Sequence, residues 1–525
     1  MYTDCVNKSN YRRMQIVCLL LVTMLWLTVG GAQESVHMVG SEMDVFGMDM
    51  SEMDVSGMPV YDLELILAND LSQLQGKQTV TLTNTSDQRW EGVYFHLYPN
   101  LLGGEMVVHE VLQAGLPLEL SLREDASLLY VAVLGGLAPS EQVTLQLDFD
   151  VIIPERMGRN YGVLALQEGI LSLAHAYPTL AVFEEGAWDI DIPVSHGDLL
   201  NAAASVFLVS VQVPADVTVV TTGEFLTAMG DGEIERYELD AVVARDFYLS
   251  ASRDYEVLTA IANLPLDTAN MTAAGSTNIR PVTTRPVTTR PVTVRSYYHA
   301  NGLQDNIKQQ RAKLALDAAV ASLELFSDRL APYPYDTFDI VPMVTTALGL
   351  EFPGIIGLSS ALYEDTRIGR QASKAYLEGT VVHEVVHQWF YNVVGNDQVS
   401  QPWLDEAVTQ YVTWAYFTAR YGENAAETQG FVNSLIGRSR SSNTQKLGEP
   451  VAAYSPRQYS AVIYGDGPLV LDELASLLGE DVFWDFLRRY SLENRWQRVD
   501  TLGFEQQLEG YCNCVLDEFF EAYVR

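Results

Sequence analysis

Residues 383–411 read HEVVHQWFYNVVGNDQVSQPWLDEAVTQY, and this stretch decides how the second half of the chain folds. His383 and His387 stand four positions apart, so on a helix both imidazoles share one face, about a turn apart, and can reach one ion. Glu384, one step round from His383, can touch water at that ion without ligating it. The surrounding residues favour a helix. Leu377, Val381, Val385 and Trp389, with Val382, Val386 and Phe390, make the segment apolar on nearly every side, and Gly395 offers a C-terminal stop. Two histidines and a glutamate inside a core helix are costly to bury unless something compensates, and a zinc ion would.

Catalytic zinc takes three protein ligands and keeps one position open. Pro402-Trp403-Leu404-Asp405-Glu406-Ala407 opens a second helix, whose apolar stripe is Leu404, Ala407, Val408, Tyr411, Val412 and Ala415. Glu406 follows His387 by 19 positions, enough to finish the first helix, turn through Gly395-Asn396-Asp397 and run the second back antiparallel. On that geometry Glu406 faces the histidine pair. The expected set is His383, His387 and Glu406 around one Zn2+ per chain.

Outward from this stretch the pattern changes twice. Ala312, Leu314, Ala315, Ala318, Ala319, Leu323 and Phe326 sit at helical spacing, and helices are expected from Asp305 to the end. Before that, Tyr61–Ile66, Thr79–Asn84, Gln142–Phe149 and Val206–Val213 alternate apolar and polar residues or are largely apolar, with turn residues between them. Residues 59–258 therefore read as a β domain, a sandwich or saddle, and 259–525 as a second, mainly helical domain. At the junction, Arg-Pro-Val-Thr-Thr repeats with period five from Arg280 to Thr293; the prolines forbid helix and interrupt a central strand, so an extended, solvated insertion is expected at about 275–295.

The first 32 residues read as an export signal: Lys8, Arg12 and Arg13 form a basic head, Met14 to Val29 is an apolar run, and Gly30-Gly31-Ala32 suits a signal peptidase. That run is short of the ~20 residues a spanning helix needs, so cleavage is favoured over retention as a membrane anchor. The product would be exported, to the extracellular space, periplasm or cell surface, with membrane contact only through the signal. An acidic linker follows at 33–58, where SEMDVFGM from Ser41 is echoed by SEMDVSGM from Ser51. Cys512 and Cys514 remain in the mature chain; a bridge across one residue looks strained, and the bland reading is two incidental thiols. With 32 basic against 68 acidic residues among 525, the net charge of −36 repels phosphate backbones and argues against a nucleic-acid partner.

The 383–411 stretch resembles the zinc segment of the gluzincin aminopeptidases, the aminopeptidase N and leukotriene-hydrolase family, in which HExxH, 18 residues and Glu form the site. Leu348-Gly349-Leu350-Glu351-Phe352-Pro353-Gly354 resembles the family's G-x-M-E-N strand, and Tyr459 to Gly467 resembles its Y-x-x-x-x-Y-x-K-G segment. The resemblance spans roughly residues 59–525. It implies a thermolysin-like α/β, mainly helical catalytic domain behind the β domain, with the active site in the cleft between them. It implies a zinc metallo-aminopeptidase acting on peptides with a free N-terminus, which the N-terminal signal would export, and in which Glu384 is the general base toward zinc-bound water. Tyr464 would donate to the oxyanion, Glu351 would bind the α-ammonium, and Gly349 would lie against the substrate. The alternatives are a thermolysin-type endopeptidase and a non-catalytic peptide-binding protein on a peptidase scaffold. Three positions depart from the family pattern: Leu348 for the first glycine, Phe352 for asparagine, and Asp466 for lysine. Long family members continue into a helical superstructure that roofs the cleft, and ending at Arg525 leads to the expectation of a more open site.

Overall fold

The computed structural model describes residues 55–265, 289–369, 371–439 and 445–525. The export signal, most of the acidic repeat and much of the Arg-Pro-Val-Thr-Thr repeat lie outside these residues.

All four alternating segments become strands of one sheet. β1 (Val60–Leu67) buries Tyr61, Leu63, Leu65 and Leu67 and exposes Asp62, Glu64 and Ile66. It pairs antiparallel with β2 (Gln73–Thr83), which pairs antiparallel with β3 (Gln142–Ile152). On the other side β1 pairs parallel with β4 (Ser205–Pro214). These lie within a nine-stranded sheet, accompanied by two four-stranded sheets. Each fully buried Val, Leu or Phe on the inner face contributes roughly 1.5–3 kcal/mol.

The second half begins with a five-stranded sheet. β5 (Tyr255–Pro265) pairs antiparallel with β6 (Thr289–His299), and β6 pairs parallel with β7 (Thr337–Met343). β8 (Gly349–Phe352) forms the edge, antiparallel to β9 (Ile355–Ser359), which runs parallel to β7. The last copy of the proline repeat therefore departs from the expected solvated insertion. Thr289 to Thr293 is strand, with Pro291 opposite Asn263. This is tolerated because β7 joins β6 only from Thr293 onward, so Pro291 lacks a β7 neighbour that would require its missing N–H.

Helices cover this sheet. α1 (Asp305–Arg329) buries Ala312, Ala315, Ala319, Leu323 and Phe326. α2 (Lys374–Val386) carries the HExxH sequence, and α3 (Val408–Tyr421) follows it. Further on come α4 (Ala426–Ser439), α5 (Pro456–Ala461) and α6 (Gly467–Leu478). α2 stops at Val386, with His387 as its C-cap, eight residues before the expected glycine stop. From Asn392 to Val394 the backbone N–H groups bond carbonyls five residues back, and Tyr391 takes φ 117° to turn the chain. Gly395 has another purpose: a Cβ there would lie 2.2 Å from the Arg245 guanidinium carbon. Arg245, from the β domain, donates to the carbonyls of Asn392, Ala202 and Gln497 and so clamps the end of this turn.

Cys512 and Cys514 form a disulfide, against the expectation of free thiols. Asn513 ends its helix in the left-handed conformation, φ 51°, and folds the two Cα atoms to 5.2 Å, within the range a disulfide spans.

Gln388 sets α2 against the edge strand. Its amide nitrogen donates to Phe352 O (2.9 Å) and its oxygen accepts from Gly354 N (2.8 Å), both fully buried in the β8–β9 turn. Gln388→Ala should cost about 2–4 kcal/mol, because it strands two buried backbone groups. Urea denaturation checks this; a loss below about 0.5 kcal/mol would show that the contacts do not hold the helix.

Candidate metal centre

His383 and His387 project from the last turn of α2. Their rings stand at 88°, with Nε2 atoms 3.2 Å apart. Glu406 lies in a wide helical turn, Trp403–Ala407, just before α3. Its Oε2 is 3.1 Å from His383 Nε2 and 3.4 Å from His387 Nε2. The structure thus brings together the three residues expected as ligands. Atoms bound at 2.0–2.1 Å to a tetrahedral ion stand about 3.3 Å from one another, so the spacing fits zinc. The protonation pattern fits too. His387 Nδ1 donates to Phe390 O at 3.0 Å, which leaves Nε2, facing His383, as the nitrogen that can give up its proton to a metal. Two imidazole nitrogens and a carboxylate facing one point in a buried site need a cation between them.

Two carboxylates flank this triangle. Oxygens of Glu351 and Glu384 and a nitrogen of His387 lie within 4.8 Å of one another. Glu351 comes from the edge strand β8, where Gly349 and Glu351 point the same way, and accepts from Gln398 Nε2 at 3.1 Å. Gln398 also donates to Asp405 Oδ2 at 2.9 Å, joining the strand to the residue before Glu406. Gly349 is where α2 presses on β8: a Cβ there would be 2.4 Å from Glu384 Oε1. Leu348, which departs from the family pattern, is the neighbour, and the close approach falls at Gly349.

Tyr464 sits in a second wide turn, Val462–Asp466, between α5 and α6. Its hydroxyl donates to Glu406 Oε1, and its ring is 5.8 Å from His383. Gly467 and Gly465 allow this turn to close in. Added Cβ atoms would lie 2.5 Å from Ala407 Cβ and 2.6 Å from Ser439 N. Asp466, in place of the family lysine, accepts from the Ser439 hydroxyl at the end of α4. The adjacent Arg438 lies over the Tyr464 ring, 5.9 Å from its centroid.

The electrostatics follow from burial and proximity. Burial pulls His387 down, yet the charges of Glu351, Glu406 and Glu384 outweigh it and hold the imidazole well above its usual range. Burial pushes Glu406 up, but hydrogen bonds from both histidines hold it well below the carboxylate range. Glu384 is raised well above its usual value, by burial first and then by Glu351.

Sequence reasoning missed several groups here. Asp198, from a β-domain loop, is raised by burial and by the charges of Glu351 and Glu406. Tyr161 joins the halves, its carbonyl accepting from Thr345 Oγ1 (2.7 Å) and its hydroxyl oxygen accepting from Gly197 N (2.8 Å). Tyr459 packs edge-on to Tyr464 at 5.9 Å. Tyr459 opens the tyrosine segment noted in the sequence, where no role was assigned to it; Asp198 and Tyr161 have no local spacing signal, and only a folded neighbour makes the Gly197-Asp198 pair meaningful.

An HExxH helix joined by a downstream glutamate defines the gluzincin class of metal site. Residues 314–523 match the family model of the peptidase family M1 domain. Aminopeptidase M1-B of Oryza sativa subsp. japonica is 29% identical over 201 residues, which is 37% of this chain and 23% of that protein. Endoplasmic reticulum aminopeptidase 1 of Rattus norvegicus is 29% identical over 225 residues, covering 39% and 24%. Aminopeptidase N of Oryctolagus cuniculus is 26% identical over 220 residues, covering 39% and 23%. The matches span about a quarter of the length of these relatives. An M1 zinc metallopeptidase mutant from Deinococcus radiodurans shares the fold, with a TM-score of 0.61 at 18% identity, covering 89% of this chain and 94% of that one. The family match and the aminopeptidase relatives support the gluzincin aminopeptidase family for residues 314–523, and the solved structure shows the shared fold.

A protonated His387 must lose its proton before it can ligate. Its raised value means that the metal-free protein carries this proton at neutral pH, so zinc uptake should release about one proton and strengthen about tenfold per pH unit as pH rises toward that value. Titration calorimetry in buffers of different ionisation enthalpy reads the release; pH-independent binding without it would contradict the assignment.

Proposed function

We propose that the protein is an exported zinc aminopeptidase that removes N-terminal residues from peptides. The observation that carries this reading is the placement of two carboxylates beside the ligand triangle: Glu384 on the metal-bearing helix and Glu351 on the facing edge strand, both within 4.8 Å of His387.

His383, His387 and Glu406 would hold the zinc, which when bound supplies Lewis-acid polarisation of the scissile carbonyl and activation of water. Glu384 takes the proton of the attacking water on its carboxylate and passes it to the leaving amine. The buried setting keeps that carboxylate poorly solvated, which favours it as a base. Glu351, oriented by Gln398, binds the α-ammonium of the substrate, so the first peptide bond is the one presented to the base. Tyr464 holds its hydroxyl at Glu406 in the free protein and is the donor available to the developing oxyanion. Asp466 anchors its turn through Ser439, so reversal of charge at this position leaves Tyr464 in place.

Export rests on the basic head and apolar run of residues 1–32, and the Cys512–Cys514 disulfide supports it, since such bonds persist in oxidising compartments. Among the described residues no helix is long and apolar enough to cross a membrane.

Aminoacyl fluorophores with free and N-acetylated amines test the activity. Cleavage of the free forms alone, abolished by chelator and restored by zinc, is expected; equal cleavage of both would favour an endopeptidase, and none from zinc-loaded protein a binding role. Glu384→Gln should lower kcat by about 10²–10⁴-fold with zinc content unchanged. Tyr464→Phe should lower kcat about 10²–10³-fold with little change in KM. If either variant kept full kcat, its residue would have no part in the chemistry.

A further inference from the structure

Arg438 lies in the last turn of α4, and from Glu351 it is reached by crossing the metal centre. Contacts fix the order. Glu351 and Glu384 lie beside His387, His387 faces His383, the Tyr464 ring is 5.8 Å from the His383 ring, and the Arg438 guanidinium is 5.9 Å from the Tyr464 ring. Gly465 permits the last step, since a Cβ there would lie 3.1 Å from the Arg438 carbonyl carbon.

Two other half-buried arginines are given firm acceptors. Arg290 meets Asp336 and the Tyr333 carbonyl, and Arg295 holds Asp339 through two bonds of 2.6 Å. Arg438 has no such partner: no hydrogen bond or ion pair joins it to any described residue, and none of its nitrogens is sealed from solvent. Asp466, across the turn, is taken by the Ser439 hydroxyl instead. Burial weakens the charged form of the guanidinium, and Tyr464, Tyr376 and Glu406 restore it only in part.

A poorly solvated cation without an acceptor is costly, and its uncommitted nitrogens form a fork that matches a carboxylate. Its place indicates which carboxylate. With the α-ammonium on Glu351, a peptide runs past the histidines toward Tyr464, so what reaches Arg438 belongs to the leaving side of the scissile bond. An extended chain advances roughly 3.3–3.6 Å per residue. The two steps from His383 through Tyr464 to Arg438 are therefore spanned by at most about three residues.

We propose that Arg438 receives a substrate carboxylate one or two residues beyond the scissile bond, so that the protein favours peptides carrying one there. This selection rests on the aminopeptidase reading above. Two sources share the chemistry: the C-terminus of a di- or tripeptide, and an aspartate or glutamate side chain at the same distance. The arginine also keeps a cation beside the turn in which Asp466 stands for the family lysine.

The zinc-loaded protein is assayed for kcat/KM on Ala-Ala-Ala, its C-terminal amide and Ala-Ala-Glu amide. A carboxylate-bearing peptide should be preferred over the plain amide by about tenfold or more, as expected for a hydrogen bond to a charged group. Arg438→Gln should bring that ratio near one, and Arg438→Lys, which keeps the charge and loses the fork, should retain part of it. Preference for the free acid alone identifies the C-terminus as the ligand, and for the glutamyl amide alone the side chain; either supports the site. Native ratios near one, or a ratio that Arg438→Gln leaves unchanged, overturn the proposal and leave the aminopeptidase reading intact. Calorimetric binding of the same peptides to zinc-loaded Glu384→Gln protein requires no turnover. Binding of a carboxylate-bearing peptide about tenfold more tightly than the plain amide supports Arg438 even where nothing is cleaved and the functional reading has failed; equal binding of all three overturns it.

Discussion

Two imidazole lone pairs and a carboxylate meet within 3.1–3.4 Å of one another in a site shielded from solvent. Without a metal ion the three must share protons, and the raised His387 and lowered Glu406 show each favouring the other's charged form. The surrounding structure holds the arrangement despite its cost. Gln388 ties the end of α2 to the β8–β9 turn, Arg245 clamps the chain reversal after it, and Gly467 lets the Tyr464 turn press against Ala407 beside Glu406. Each contact spans elements distant in sequence, so the centre rests on a web of long-range contacts beyond any one helix.

The same packing gives the site its chemical asymmetry. On one side Gly349 lets Glu384 lie directly on the edge strand, placing a carboxylate against the backbone where an extended peptide can approach. On the other side Glu406 is covered by Tyr464, whose ring is met by the guanidinium of Arg438. Glu351 and Glu384 are both buried carboxylates but have different partners. The first is held by a glutamine amide, the second by packing, which suits one to binding a cation and the other to accepting a proton.

The β domain contributes more than a platform. Its loops supply Tyr161, Asp198, His175 and Asp246 to the neighbourhood of Glu351, so the recess beside Glu351 is lined from both halves. The metal centre comes from the helical half, while much of the recess comes from the β half.

Local pattern determined much of this protein. Period-two alternation marked four strands that turn out to be neighbours in one sheet, and four-residue spacing with an all-round apolar setting marked the metal-bearing helix. That His383, His387 and Glu406 would come together was legible because HExxH and a glutamate at fixed distance are local in sequence. Only the tertiary structure decided where α2 stops, since that depends on Tyr391 and on Arg245 arriving from the β domain. The Cys512–Cys514 bridge likewise hung on one left-handed residue, Asn513, and the strand at Thr289–Thr293 on which neighbours Pro291 would meet. The acidic recess was invisible beforehand. Asp246, His175 and Glu351 are separated by tens to more than a hundred residues and share no periodicity, so only folding could show that one cavity holds them all.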